Sequence, residues 1–205
     1  GLDLRQIFKT KDFWIVTAFV ACSFIGTSAM GAHQVAYFVA EGFSVSSAAM
    51  TVLVASVFSG VGRIGAGTLV DYVDYRWVLC GIATLLSISL FYLALAPMNS
   101  FLYAFPFTVM YGLGWGSSVP MRPIVGSMIF GTKSIGTIVG LMHLGSLAGG
   151  IMGPLILGLA FDLQGGYGTG IWILGIVTIT LVPILPFLKR PSDLPLRQPY
   201  VTNVF

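Results

Sequence analysis

Charged residues are scarce in this chain: ten Lys or Arg and seven Asp or Glu make up 8% of 205 residues. Soluble domains carry about a quarter charged residues, so an ordinary soluble domain is excluded. Disorder is excluded as well, because 56% of the residues are apolar and disordered chains are poor in such residues. The stretches 77–105 and 135–161 contain no Asp, Glu, Lys or Arg. They are apolar on every face, which indicates a helical membrane protein rather than a β-barrel with alternating residues.

Cysteine is also scarce, and Cys22 and Cys80 both fall in apolar segments. Two such thiols provide neither a disulfide framework nor the ligand spacing of a metal site. We therefore expect no cofactor and no metal. The net charge of +3 comes without a basic patch interleaved with aromatic residues, so nucleic acid is not an expected partner.

The first twelve residues lack the apolar run of a signal peptide, and the chain begins at Gly1 rather than at Met. We expect no cleavable leader. We interpret the chain as a piece of a longer protein.

Six segments are long enough to cross the hydrocarbon core, which takes roughly 20 apolar residues per helix. They lie near 13–40, 46–70, 77–96, 101–130, 134–161 and 169–188. We predict a cytoplasmic amphipathic lead-in at 1–12, a six-helix transmembrane bundle at 13–188 and a cytoplasmic tail at 189–205. Pro120 and Pro123 are expected to bend or break the long fourth segment, because each removes a backbone donor.

The basic residues outside the segments all fall on one side of the predicted membrane. They are Arg5, Lys9, Lys11, Arg76, Lys133, Lys189, Arg190 and Arg197, and the three opposite loops contain no Lys or Arg. Cytoplasmic loops carry the excess of Lys and Arg. We therefore expect a multi-pass protein of the plasma (inner) membrane with both termini in the cytoplasm.

A glycine-rich helix end closing on Gly-x-x-x-Asp occurs twice, from Gly67 to Asp71 and from Gly158 to Asp162. Each copy lies in the middle helix of a set of three, and the predicted orientation puts the two on opposite sides of the membrane. The motif alone is also a common helix end. Its position predicts an all-α membrane protein with six transmembrane helices as a 3+3 inverted repeat, which is typical of secondary transporters.

The stretch 62–76, with Gly67, Leu69, Asp71, Asp74 and Arg76, resembles a loop of the major facilitator superfamily. That loop reads Gly-x-Leu-x-Asp-x-x-Gly-x-Arg and lies between helices eight and nine; Asp74 replaces its second Gly. The run 153–167 resembles the end of helix eleven. Residues 33–48 resemble helix seven of the monocarboxylate and oxalate–formate branch.

The resemblance implies the C-terminal six-helix half of a twelve-helix transporter, whose partner is a missing N-terminal half or a second copy. It implies a secondary carrier, antiporter or symporter, for a small and anionic solute such as a monocarboxylate. Oxalate itself is not supported, because Ser146 stands where an oxalate carrier of this branch has a Lys. In the resembled fold, the carboxylate of Asp71 lies near the positive end of the fifth helix. We expect Gly67, Asp71 and Arg76 to form a gating latch there.

Arg63 and Arg122 lie inside predicted spans, and no Asp or Glu lies within any of the six. A charge at the bilayer centre costs roughly 2.5–3.5 kcal/mol on insertion scales, so such residues usually mark a pathway or have a partner. A partner can be an acid of the missing half, backbone carbonyls, cavity water or an anionic substrate. We predict that both arginines bind substrate, with a structural role as the alternative.

Three helices carry polar residues at helical spacing. These stripes are Ser23, Thr27, Met30, Gln34 and Tyr37 on the first helix, Ser56, Ser59 and Arg63 on the second, and Thr108, Tyr111, Trp115, Ser118 and Arg122 on the fourth. In the resembled fold the first and fourth helices line the central cavity. We predict substrate contacts for Gln34, Tyr37, His33, Tyr111, Trp115 and Ser118. Individual Ser and Thr hydroxyls often bond only to the preceding turn.

His33 and His143 are the groups inside the spans that titrate near neutral pH, and each is a candidate for proton coupling. Gly136, Gly140, Gly145, Gly149 and Gly153 on the fifth helix are expected to let another helix approach closely.

Two other function classes are compatible with the sequence. One is a six-helix membrane sensor or scaffold that transports nothing. The other is an intramembrane serine hydrolase with Ser117 or Ser118 as nucleophile and His143 as base, although the transporter-like loop has no role in that reading. We expect no enzymatic activity.

Overall fold

The computed structural model describes residues 7–131 and 135–190, and the regular elements of these residues are helical. The α-helices are α1 (Lys11–Ala40), α2 (Val45–Tyr72), α3 (Tyr75–Leu95), α4 (Phe101–Phe130), α5 (Ile135–Gln164) and α6 (Gly168–Ile179), followed by a 3₁₀ turn at Leu185–Phe187. Four of them, α1, α2, α3 and α5, are long and apolar enough to cross a membrane. The predicted all-helical membrane architecture is confirmed at this level. Arg5, Lys133 and Arg197 lie outside the described residues.

The connections between the helices follow from local capping chemistry. The Ser44 hydroxyl accepts a hydrogen bond from the Ser47 amide at 3.2 Å and starts α2. The Asp74 carboxylate accepts from the Arg76 amide at 3.0 Å and starts α3. Asp74, which replaces a glycine of the resembled loop, therefore acts as a helix cap.

Two expectations about helix continuity need correction, namely a break of the fourth helix at its prolines and a sixth helix that reaches residue 188; a bend of the fourth helix stays a prediction. α4 runs unbroken from Phe101 to Phe130 with Pro106, Pro120 and Pro123 inside it, so the prolines do not interrupt the helix. The sixth segment was expected to be helical to residue 188, but α6 ends at Ile179. Pro183 and Pro186 have no amide hydrogen to continue the ladder, and the chain forms successive turns there instead.

The bundle is built around two close helix pairs, α1 with α5 and α2 with α4. A Cβ added at Gly116 of α4 would overlap the carbonyl oxygen of Ser59, and one added at Gly153 of α5 would overlap that of Ile25. Hydroxyls bridge the same pairs. Ser28 donates to the Gly149 carbonyl at 3.1 Å, and Ser117 donates to the Gly62 carbonyl at 3.1 Å.

The predicted glycine surface of α5 is therefore only partly a packing surface. Gly145, Gly149 and Gly153 contact α1, with an added Cβ at Gly149 falling 2.6 Å from the Ala21 carbonyl oxygen. Gly136 and Gly140 have open space where a side chain would point. The contact with α1 thus occupies the central part of α5.

Candidate substrate site

Arg122 is a half-buried cation on α4. Its guanidinium carbon lies 5.4 Å from the ring centroid of Phe24 on α1, within the range of a cation–π contact. No hydrogen bond or ion pair joins Arg122 to another of the described residues. Phe24 therefore holds the guanidinium in place without neutralising its charge.

The same Phe24 ring lines a groove of about 430 Å³ between α1 and α5. The other lining residues are Gly140, His143, Leu144, Ser146, Leu147, Gly150 and Ile151. Ser146 is buried, and its hydroxyl has no hydrogen-bond partner among the described residues. Phe24 lies near the middle of α1, and Ser146 and Gly150 lie near the middle of α5. The groove thus combines apolar walls with a hydroxyl and an exposed imidazole.

Arg63 occupies a different environment on α2, where it is exposed. It has no hydrogen bond or ion pair within the described part of the chain. Its neighbours Val61 and Ile64 are also exposed, although α2 is an apolar helix long enough to cross a membrane. The face around Arg63 is therefore left uncovered by the packing of residues 7–131 and 135–190.

The polar stripe of α1 is engaged in contacts between helices. The buried Gln34 side chain donates from Nε2 to the Thr51 hydroxyl on α2 at 3.0 Å. The buried Tyr37 hydroxyl donates to the Leu93 carbonyl on α3 at 3.2 Å. Both polar groups already have partners within the bundle, and their contact with substrate stays a prediction.

The stripe of α4 forms an aromatic column against α1. The ring centroids of Phe107 and Tyr111 are 5.4 Å apart, and those of Tyr111 and Trp115 are 6.2 Å apart, in stacked geometry. The Tyr111 hydroxyl donates to the Thr27 carbonyl at 3.1 Å. The Ser118 hydroxyl donates to the Trp115 carbonyl in the preceding turn at 2.8 Å, as is common for Ser in helices. Trp115 is half-buried, and its substrate contact, like those of Tyr111 and Ser118, stays a prediction.

The two histidines lie in different surroundings. His33 is half-buried, with its ring centroid 5.7 Å from that of Tyr167. Burial and the nearby Asp162 carboxylate raise the pKa of the Tyr167 phenol above its ordinary value, so this phenol is neutral at physiological pH. His143 is exposed on α5 at the rim of the α1–α5 groove.

The residues of the expected latch lie at the end of α2 and the start of α3. Asp71 and Gly67 lie near the end of α2, and Asp71 is exposed. The Arg76 guanidinium pairs with Asp74 at 2.6 Å and donates to the Pro186 carbonyl at 3.1 Å. Residues 132–134, which precede α5, lie outside the described range, so the latch between Asp71 and α5 stays a prediction.

The serine hydrolase arrangement finds no support in the geometry. The hydroxyls of Ser117 and Ser118 donate to the carbonyls of Gly62 and Trp115, and His143 is not their partner. A nucleophile needs its base within hydrogen-bond reach.

Phe24 was missed in the sequence, although it is the residue that joins Arg122 to the groove. It stands between Ser23 and Thr27 of the polar stripe and looks like any other apolar residue of α1. Only the packing of α4 against α1 identifies it.

Comparison with known proteins shows similarity to monocarboxylate transporters. Over 182 residues, or 87% of its length, the chain is 29% identical to monocarboxylate transporter 12 of Rattus norvegicus. The corresponding identities are 28% for the Mus musculus protein and 26% for the Homo sapiens protein. The resemblance to monocarboxylate transporters is confirmed. No protein-family model matches the chain.

The chain spans only 35–37% of the length of these relatives. They are membrane transporters and not enzymes, in agreement with the expected function class. The all-helical structure fits part of a major facilitator transporter.

Proposed function

We propose that the chain is the six-helix half of a secondary active transporter that moves a small organic anion, such as a monocarboxylate, by alternating access. The observation that carries this proposal is Arg122, a half-buried cation of α4 held over Phe24 without an acidic partner among the described residues. A charge in that position is costly unless something compensates for it. A carboxylate substrate that binds during transport would compensate the charge of Arg122.

The shape of the α1–α5 groove supports a small solute. Its volume of about 430 Å³ lies within the range of small-molecule sites, which are mostly apolar with a few polar groups. Its lining residues lie near the middle of two long helices, and transporter sites lie near the bilayer midplane. We infer that the apolar body of the substrate occupies the groove and that Arg122 attracts its carboxylate.

The helix pairing supports the inverted repeat. In an inverted repeat, α1 corresponds to α4, α2 to α5 and α3 to α6. A contact between α1 and α5 in one copy is then equivalent to a contact between α4 and α2 in the other. These two pairs have the most extensive packing in the bundle. Each is bridged by a serine of the first helix of its set, Ser28 or Ser117, donating to a glycine carbonyl at 3.1 Å. The recurrence of the same contact is expected for two copies of one three-helix unit.

A second six-helix unit is proposed as the partner, either an N-terminal half or a second copy. α2 and α5 are the least covered of the long apolar helices. Their exposed residues include Val57, Val61 and Ile64 on α2 and Leu144, Leu147 and Ile151 on α5. Arg63 lies on the exposed side of α2, so a second unit would enclose it together with the substrate path.

We also propose that both termini lie in the cytoplasm, that the protein is located in the plasma membrane, and that transport is coupled to protons through His33 or His143.

The proposal is tested by replacing Arg63 in the full-length protein and measuring uptake of radiolabelled organic acids into proteoliposomes. A charged hydrogen bond contributes about 1.5–3 kcal/mol, so we expect Arg63→Gln to lower uptake tenfold or more and Arg63→Lys to retain part of it. Arg63 makes no bond within the described residues, so an unchanged melting temperature is expected if Arg63 faces the substrate path rather than an acid of the second unit. Unaltered uptake by Arg63→Gln would favour a structural role or a six-helix sensor that transports nothing.

A further inference from the structure

Four basic residues from opposite ends of the sequence lie at one end of the bundle. Lys9 precedes α1, Lys11 is its first residue, and Lys189 and Arg190 follow the 3₁₀ turn. The Lys189 amide donates to the Asp12 carboxylate at 3.1 Å, although 177 residues separate them. All four basic side chains are exposed. We call these four residues the junction patch.

The junction is held by buried polar contacts. Asp12 is only 1% exposed. The Tyr75 hydroxyl at the start of α3 donates to the Lys189 carbonyl at 2.5 Å, and Arg76 donates to the Pro186 carbonyl at 3.1 Å. Bonds from two helices to one short segment fix where Lys189 and Arg190 lie relative to α1. The fold therefore holds the segment with Lys189 and Arg190 beside the start of α1.

The acids near the junction offset only part of its charge, because Asp12 forms an ion pair with Lys189. Asp12 is buried, and its second oxygen lies 3.9 Å from the Lys189 ammonium nitrogen. Asp74 pairs with Arg76. Among the described residues in contact with the junction, the exposed charge that remains is positive.

Large aromatic side chains lie in the same segments as the junction patch and at the adjoining start of α3. Phe8, Trp14, Trp77 and Phe187 are all exposed, Trp14 by 58% and Phe187 by 67%. The Trp14 indole donates to the Phe8 carbonyl at 3.0 Å. Trp residues are enriched at the headgroup level of a bilayer. Basic groups at that level lie next to lipid phosphates rather than in open solvent.

We propose that the junction patch binds the headgroup of an anionic phospholipid. The ligand is a diacyl lipid whose headgroup carries a net negative charge on its phosphate. The ammonium and guanidinium groups of the patch contact that phosphate, and the aromatic rings lie at the level where the acyl chains begin. Each Lys or Arg in a basic cluster beside a membrane helix raises the affinity for anionic lipid about fivefold. This inference does not depend on the transported solute.

The test measures lipid binding to the purified full-length protein by native mass spectrometry, with phosphatidylglycerol and phosphatidylcholine compared at equal concentrations. Replacing all four patch residues by Gln should weaken phosphatidylglycerol binding about a hundredfold or more and leave phosphatidylcholine binding unchanged. The charge-preserving control exchanges the three lysines for Arg and Arg190 for Lys, and it should bind as the wild type does. Glycerol phosphate, the headgroup without acyl chains, should not displace the lipid.

A variant with only two substitutions tests the proposal even if the fourfold variant misfolds or inserts differently into the membrane. Lys9→Gln with Arg190→Gln leaves Lys11 and Lys189 in place and should weaken phosphatidylglycerol binding about 25-fold at fivefold per charge. Wild-type binding by this variant would overturn the proposal. Equal binding of phosphatidylcholine by the wild type, or displacement by glycerol phosphate, would also overturn it, the latter in favour of a site for soluble phosphate esters.

Discussion

Gly116→Ala and Gly153→Ala are each expected to lower the free energy of unfolding of the full-length protein by about 1–3 kcal/mol, the usual cost of overpacking. An added methyl group at Gly116 overlaps the Ser59 carbonyl, and one at Gly153 overlaps the Ile25 carbonyl. In both cases the obstacle is backbone, which no change of rotamer can move. The helices must separate, and a separation loses contacts along the whole of α2–α4 or α1–α5.

Gly136→Ala and Gly140→Ala are the matched controls, because they lie on α5 and have no atom within 4 Å of the added methyl group. Ala is favoured over Gly in a helix by about 0.8–1.0 kcal/mol, so these variants should be neutral or slightly stabilised. Melting temperature in detergent is the measurement. Equal losses at Gly136 and Gly153 would show that α5 does not pack on α1 as described.

Arg122→Gln is expected to reduce uptake of an organic anion by tenfold to about a hundredfold, the effect of losing a hydrogen bond to a charged group worth about 1.5–3 kcal/mol. Arg122→Lys keeps the charge but loses the planar guanidinium that lies over the Phe24 ring. It should therefore retain more uptake than Arg122→Gln and less than the wild type. Initial rates over a range of substrate concentrations separate a weaker apparent affinity from slower turnover.

Phe24→Leu gives an independent measure of the same contact. It removes the ring beneath Arg122 but keeps an apolar wall in the groove. Cation–π contacts are worth about 0.5–2 kcal/mol, so uptake should fall by a smaller factor than in Arg122→Gln. A Phe24→Leu variant as impaired as Arg122→Gln would indicate that the wall of the groove, rather than the charge, controls transport. Full activity of Arg122→Gln would contradict the proposed role of Arg122.

The helices could be predicted from length and composition, because a membrane helix needs a long apolar run and this chain has six such segments. The ends of α1 to α5 lie close to the predicted ones. The end of α6 was wrong because a stretch from 169 to 188 is apolar enough to be a span even though Pro183 and Pro186 stop the regular helix. Apolar composition predicts which residues lie within the membrane, whereas the continuity of a helix also depends on its backbone hydrogen-bond donors.

The candidate site was harder to predict, because a polar residue on a membrane helix can face a cavity or another helix. Gln34, Tyr37 and Tyr111 were selected by their spacing, yet each polar group bonds a neighbouring helix. Phe24 and Ser146 become candidates only when α1, α4 and α5 are brought together. Spacing along one helix gives the residues that share a face, and the partner of that face depends on tertiary packing.

Solute counterflow is the most direct test of transport by the protein of which this chain is a part. Proteoliposomes containing the full-length protein are loaded with an unlabelled monocarboxylate and diluted into a trace of the labelled acid, in parallel with a dicarboxylate and a neutral solute. We expect transient accumulation of the labelled monocarboxylate that is lost in the Arg63→Gln and Arg122→Gln variants. No accumulation of any organic anion by a protein that is folded and inserted would contradict the transporter assignment.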